Sequence, residues 1–127
     1  VSVGTYISME SLKGIDLQDS FILGWEVDES EVKFILEASI WPESQLYQKP
    51  QVNEYTCYRN CILKISDFSK CSGLQKQSEV NPTIDIDGSA DYGNIDSFVK
   101  TANGFILVCE FGAVTITGGY SSFKLYT

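Results

Sequence analysis

Hydrophobic and polar positions alternate with a period of two along most of this chain, most clearly in its last third. Phe105, Leu107, Cys109 and Phe111 share one side and Ile106 and Val108 the other, which predicts a strand covered on both faces. Gly112 and Ala113 allow a reversal, and residues 114–117 alternate like a strand buried on one side. A second reversal is expected at Gly118 and Gly119, after which Phe123 and Leu125 oppose Lys124 and Tyr126. Residues 104–126 therefore read as a three-stranded antiparallel meander. In residues 20–28, Phe21, Leu23, Trp25 and Val27 face away from Ser20, Ile22, Gly24 and Glu26. In residues 31–41, Val32, Phe34, Leu36, Ala38 and Ile40 alternate with Glu31, Lys33, Glu37 and Ser39. A turn at Asp28, Glu29 and Ser30 joins these two stretches as a hairpin.

The remaining elements are weaker. Residues 1–7 suggest an edge strand, and residues 9–17 a polar connector or short helical turn. Trp41-Pro42 ends the second strand, because proline lacks a ladder donor and restricts its predecessor. A long extended segment follows at 53–66, with Arg59 on its apolar side, where it needs a carboxylate partner or an open edge. Residues 69–82 read as a loop, 83–87 as a short strand, and 93–101 as a connector or single helical turn. The expected fold is all-β, a mostly antiparallel two-layer sandwich or half-barrel with at most one or two short helices. Strands are placed near 3–7, 20–28, 31–41, 53–66, 83–87, 104–111, 113–117 and 122–126. The expected core is Phe21, Leu23, Trp25, Phe34, Leu36, Ile40, Leu63, Phe105, Leu107, Cys109, Val114, Ile116 and Leu125.

Length and charge narrow the function classes. The 127 residues suit one β-rich domain, 1–127. No apolar run approaches the ~20 residues of a spanning helix, and the first residues lack a secretion-signal pattern. Acids outnumber bases 17 to 9. Between residues 10 and 31, Glu10, Asp16, Asp19, Glu26, Asp28, Glu29 and Glu31 face only Lys13. Such a surface repels nucleic acid and anionic lipid and attracts a basic protein. The plainer reading is that the charge keeps a small β protein soluble. Cys57, Cys61, Cys71 and Cys109 match no zinc or redox spacing and read as reduced thiols of a cytoplasmic protein, with a disulfide from Cys71 to Cys57 or Cys61 as the other reading.

The chain has no histidine, which removes imidazole-based catalysis and Cys2His2 zinc. Asp85, Asp87 and Asp91 surround Gly88, but Asn94 stands where a calcium loop needs its bidentate acid, so the stretch reads as a solvated turn. Gly118-Gly119 joins strands, with no helix N-terminus behind it to hold a phosphate. The expectation is therefore no enzyme activity, no metal and no cofactor. The tyrosines and tryptophans read first as packing residues and second as anchors for a partner.

Leu17-Gln18-Asp19-Ser20 leading to Trp25, together with Asp91-Tyr92-Gly93-Asn94-Ile95-Asp96 and the run from Gly104 to Val114, resembles small bacterial proteins of unassigned biochemistry, some similar to immunity proteins of polymorphic or contact-dependent growth inhibition toxin systems. The resemblance covers about half of the chain. Where those sequences tend to carry a histidine, this chain has Gln18, so a histidine-dependent role does not carry over. The resemblance implies a protein that binds and neutralises a cognate toxin, often a basic nuclease. The acidic stretches make Asp16, Asp19, Glu26, Asp28, Glu29, Asp91 and Asp96 the candidate partner-binding residues, with Tyr92 as an aromatic anchor among them. The alternative is a non-catalytic β module that binds a small molecule or peptide between aromatic side chains.

Overall fold

The computed structural model describes residues 4–5 and 12–126. Nine strands are found there: β1 (Gly4–Thr5), β2 (Ile15–Val27), β3 (Glu31–Ile40), β4 (Cys57–Ser72), β5 (Thr83–Ile84), β6 (Ala90–Asp91), β7 (Ile95–Thr101), β8 (Gly104–Cys109) and β9 (Gly112–Leu125). The main sheet has the order β1-β7-β8-β9-β4-β3-β2, and β5 and β6 form a separate two-stranded ribbon. Every pairing is antiparallel. The fold is all-β, as the alternation predicts, and of the two architectures expected it is the half-barrel.

Two meanders, β2-β3-β4 and β7-β8-β9, are joined through β4 and β9. The sheet curls until its far sides touch. The Ile22 N–H donates to the Gly93 carbonyl at 2.9 Å, and the Tyr92 N–H donates to the Ile22 carbonyl at 2.8 Å. Asn94 Nδ2 reaches the Ser20 carbonyl at 2.7 Å. Inside the curl lies one apolar cluster that includes Leu17, Ile22, Phe34, Leu36, Leu63, Phe98, Phe105 and Leu107. Phe98 and Phe105 stack with centroids 5.5 Å apart, and Lys100 Nζ sits 5.0 Å over the Phe105 ring.

Several expectations are corrected here. No reversal occurs at Gly118 and Gly119: their φ values of 76° and 93° kink a strand that runs on as β9, which pairs with β8 over residues 112–117 and with β4 over residues 115–125. A left-handed glycine pair needs no hairpin when the partner strand shifts register with it, as β4 does between Phe68 and Lys70. The third strand of that meander is β7, in the stretch read as a connector. The long segment starts at Cys57 rather than 53 and continues to Ser72, into the expected loop. Only a 3-10 turn at Gln77–Glu79 interrupts the crossing that follows. The expected edge strand near 3–7 is found as β1, paired with β7; its other residues, like 9–11 of the expected connector, lie outside the described residues.

In β2 the expected inner face is wrong over part of its length. Phe21 and Leu23 are half-buried on the outer surface and Val27 is exposed, whereas Ser20, Ile22 and Trp25 point inward. Register shifts between Asp16 and Phe21 and again between Ile22 and Gly24 reset the alternation, which a strict period-two reading cannot follow. Leu125 is half-buried at the rim of the core. In β3 the expected inner face holds: Val32, Phe34, Leu36, Ala38 and Ile40 are all fully buried, and only Ser39 on the other face is buried as well.

Candidate functional site

The bulge in β2 builds the most distinctive surface of the molecule. From Asp16 to Phe21 the strand advances five residues while its partner advances two, from Ser39 to Glu37. The excess is folded into the strand by Ser20, whose hydroxyl donates to the Asp16 carbonyl at 2.6 Å and accepts the Ser39 N–H at 2.9 Å. Asp19 thereby reaches β4, two strands away. Its carboxylate accepts the Tyr55 hydroxyl at 2.8 Å and the Tyr58 hydroxyl at 2.9 Å. The two hydroxyls also touch each other, and their rings meet edge to face at 5.6 Å. Burial, then the hydrogen bond from Tyr55, then Asp19 push the Tyr58 phenol well above the usual tyrosine range.

Phe21 continues the aromatic surface, its ring 6.3 Å from that of Tyr58. Beside it, Glu37 stands opposite Phe21 on β3, and the β5-β6 ribbon folds over both. The result is a cleft of about 100 Å³ lined by Phe21, Leu23, Glu37, Asp85, Ser89, Ala90 and Asp91. Asp91 is 9% exposed, and one of its oxygens accepts the Gly93 N–H at 2.8 Å. Neither its second oxygen nor the Glu37 carboxylate has a hydrogen-bond donor among the described residues. Burial, followed by the charges of Glu54, Asp91, Asp85 and Asp87, raises the Glu37 pKa above the usual carboxylate value.

The ion pairs of the described residues leave this surface uncompensated. Arg59, whose need for a partner the alternation exposed, meets Glu54 at 3.2 Å. Glu31 takes Lys64 at 3.7 Å and Lys33 at 4.0 Å, at the other end of the sheet. None reaches Asp19, Glu37, Asp85, Asp87 or Asp91. No three of the histidine, cysteine, aspartate and glutamate side chains described are placed to share a metal ion.

The sequence candidates separate in space. Asp16, Asp19 and Asp91 lie on or beside this outer surface. Glu26, Asp28 and Glu29 are exposed at the β2-β3 turn instead, where Asp28 Oδ1 accepts the Ser30 and Glu31 N–H groups, bonds that hold its carboxyl below the usual range. Asp96 is exposed on β7, its carbonyl accepting Gln18 Nε2 at 3.1 Å. Tyr92, expected as an aromatic anchor, is half-buried edge-on against Trp25 at 5.0 Å. Tyr55, by contrast, is 78% exposed. Glu37 was missed because a single acid at an outward strand position looks like ordinary alternation.

The cysteines are all free; burial pushes the Cys61 thiol up to about 12 and Cys109 up to about 11. No described helix is long and apolar enough to cross a membrane. Comparison with protein-family models, with curated proteins and with solved structures finds no match to this chain.

Proposed function

We propose that this chain is a non-catalytic binding protein that docks a basic protein partner on the outer surface formed by β2, β3, β4 and the β5-β6 ribbon. In its specific form, the partner is a cognate bacterial toxin that the chain neutralises as an immunity protein. The observation carrying this reading is the uncompensated set Asp19, Glu37, Asp85, Asp87 and Asp91 around the aromatic group Phe21, Tyr55 and Tyr58. Carboxylates at a rim steer a basic partner, and desolvated aromatic rings supply much of the affinity. A cleft of about 100 Å³ is small for a metabolite, since such sites hold roughly 300 Å³ or more, so the surface fits protein side chains better than a small ligand.

The test is co-expression with the product of an adjacent toxin gene. Protection of the cells and co-purification are expected, with Tyr55→Ala weakening the complex about tenfold or more and association slowing steeply as salt rises. Absence of both protection and co-purification sinks the immunity reading.

A further inference from the structure

Alternation predicts a cover for both faces of β8, and the curled sheet supplies it on one only. Phe105, Leu107 and Cys109 are buried in the core, while Ile106 and Val108 on the outer side are half-buried and β8 packs mainly with its ladder partners β7 and β9. Pairing sets Val99, Ile106 and Thr115 in one row across β7, β8 and β9, and Ser97, Val108 and Ala113 in the next. None of these six carries a charge, on a chain whose net charge is −8. Charges stand only at two corners of this face. Lys70 of β4 pairs with Thr117, at the end where Gly104 meets Thr101, and Asp96 sits in the bulge of β7 at the other end, between Ile95 and Ser97. Both are exposed, and neither joins an ion pair among the described residues. We propose that this outer face of β7, β8 and β9 binds a second copy of the chain, the two sheets stacking about a two-fold axis.

Three properties select a second copy. A basic partner is drawn to the acids of β2 and the ribbon, whereas two acidic chains repel everywhere except along a neutral patch, and this face is one. A two-fold contact uses the same patch on both subunits, so the patch must complement itself. Lys70 and Asp96 stand at diagonal corners, and an axis along the other diagonal sets Lys70 of each copy opposite Asp96 of the other. Flat rows of β-branched and small side chains suit sheet-on-sheet stacking at about 10 Å, which covers Ile106 and Val108. Four strands spaced about 4.8 Å apart make a patch smaller than the ~800 Å² that each partner of a standard interface buries, so the dimer is weak and depends on concentration. The face belongs to the β7-β8-β9 meander rather than to β2 and β3, so the inference stands apart from the partner reading above.

Sedimentation equilibrium of the full chain from about 10 µM to 1 mM tests this, at about 0.15 M salt so that long-range repulsion between copies is screened. Monomer is expected to pass to dimer over that range. Thr115→Lys puts a charge in the middle of the face at an exposed position, which folding tolerates, and is expected to weaken the dimer about tenfold or more, with an unchanged circular dichroism spectrum. Lys70→Glu and Asp96→Lys are each expected to weaken it about threefold, and the two together to restore it. Monomer at every concentration, or a dimer that Thr115→Lys leaves unchanged, overturns the proposal. A double variant that dimerises no better than the single ones overturns the two-fold arrangement.

Discussion

Glu37 and Ser39 stand two residues apart on the outer side of β3, and each is a local cost to folding. The folded protein holds the Glu37 proton more tightly than the unfolded chain does, because burial and neighbouring acids disfavour the charged form. That stabilising contribution is fully present below the unfolded pKa and is lost as pH rises through the folded value. Glu37→Gln is therefore expected to raise the Tm slightly at pH 7 and to change it little at a pH where Glu37 is protonated in both states. Calorimetry at the two pH values checks this. Ser39 is fully buried, and among the described residues its hydroxyl is the buried side-chain group without a hydrogen-bond partner. Its N–H, by contrast, is held by Ser20. Ser39→Ala should be neutral or stabilising by about 1 kcal/mol, whereas Ser20→Ala, which strands the Ser39 N–H, should cost about 1–3 kcal/mol. Urea midpoints of the two variants read the contrast, and equal losses would mean that Ser39 has a partner in solution.

At the scale of elements, the crossing from β4 to the ribbon is fastened to β2 by one tryptophan. The Trp25 N–H donates to Gln77 Oε1 at 2.7 Å, its indole Nε1–H donates to the Gln75 carbonyl at 2.9 Å, and its ring stacks on Phe111 at 4.5 Å. The crossing thus gains its order from contacts separated by about fifty residues, so its own polar composition reads as a loop. At the start of the crossing, Gly73 has a φ of 89°, and a Cβ there would lie 2.2 Å from the Ala113 carbonyl oxygen. Gln77→Ala leaves the part-buried Trp25 N–H without its side-chain acceptor and is expected to cost about 1 kcal/mol. Trp25 fluorescence should shift to the red on that change, while Trp41, already exposed, contributes a constant background. An unmoved spectrum and unmoved stability would show that the crossing is held by other contacts.

Taken as a whole, the molecule joins two meanders through the β4-β9 pairing and one shared core. Phe34 lies in one meander and Phe105 in the other, both buried. Phe34→Ala and Phe105→Ala should each cost about 3–5 kcal/mol and shift a single unfolding transition. Circular dichroism and tryptophan fluorescence should trace coincident urea curves; two separated transitions would mean that the meanders fold independently. The all-β class, the β2-β3 hairpin, the inner face of β3 and the β8 strand were legible in the sequence, because alternation is a property of neighbouring residues and the core side repeats every second position. The charge imbalance was equally legible, since it is a count. Tertiary structure alone decided which side of β2 faces the core, because two register shifts break the alternation there and no local pattern marks a bulge that Ser20 closes against β3. It likewise decided that Gly118 and Gly119 kink a continuous strand, since that depends on the matching irregularity in β4. The candidate site belongs to the same class: Asp19, Glu37, Tyr55, Tyr58 and Asp91 come from separate stretches of chain, and curling of the sheet brings them onto one surface. A sequence pattern sees which residues share a strand face, whereas the meeting of faces depends on strand order, bulges and curvature that only the folded chain sets.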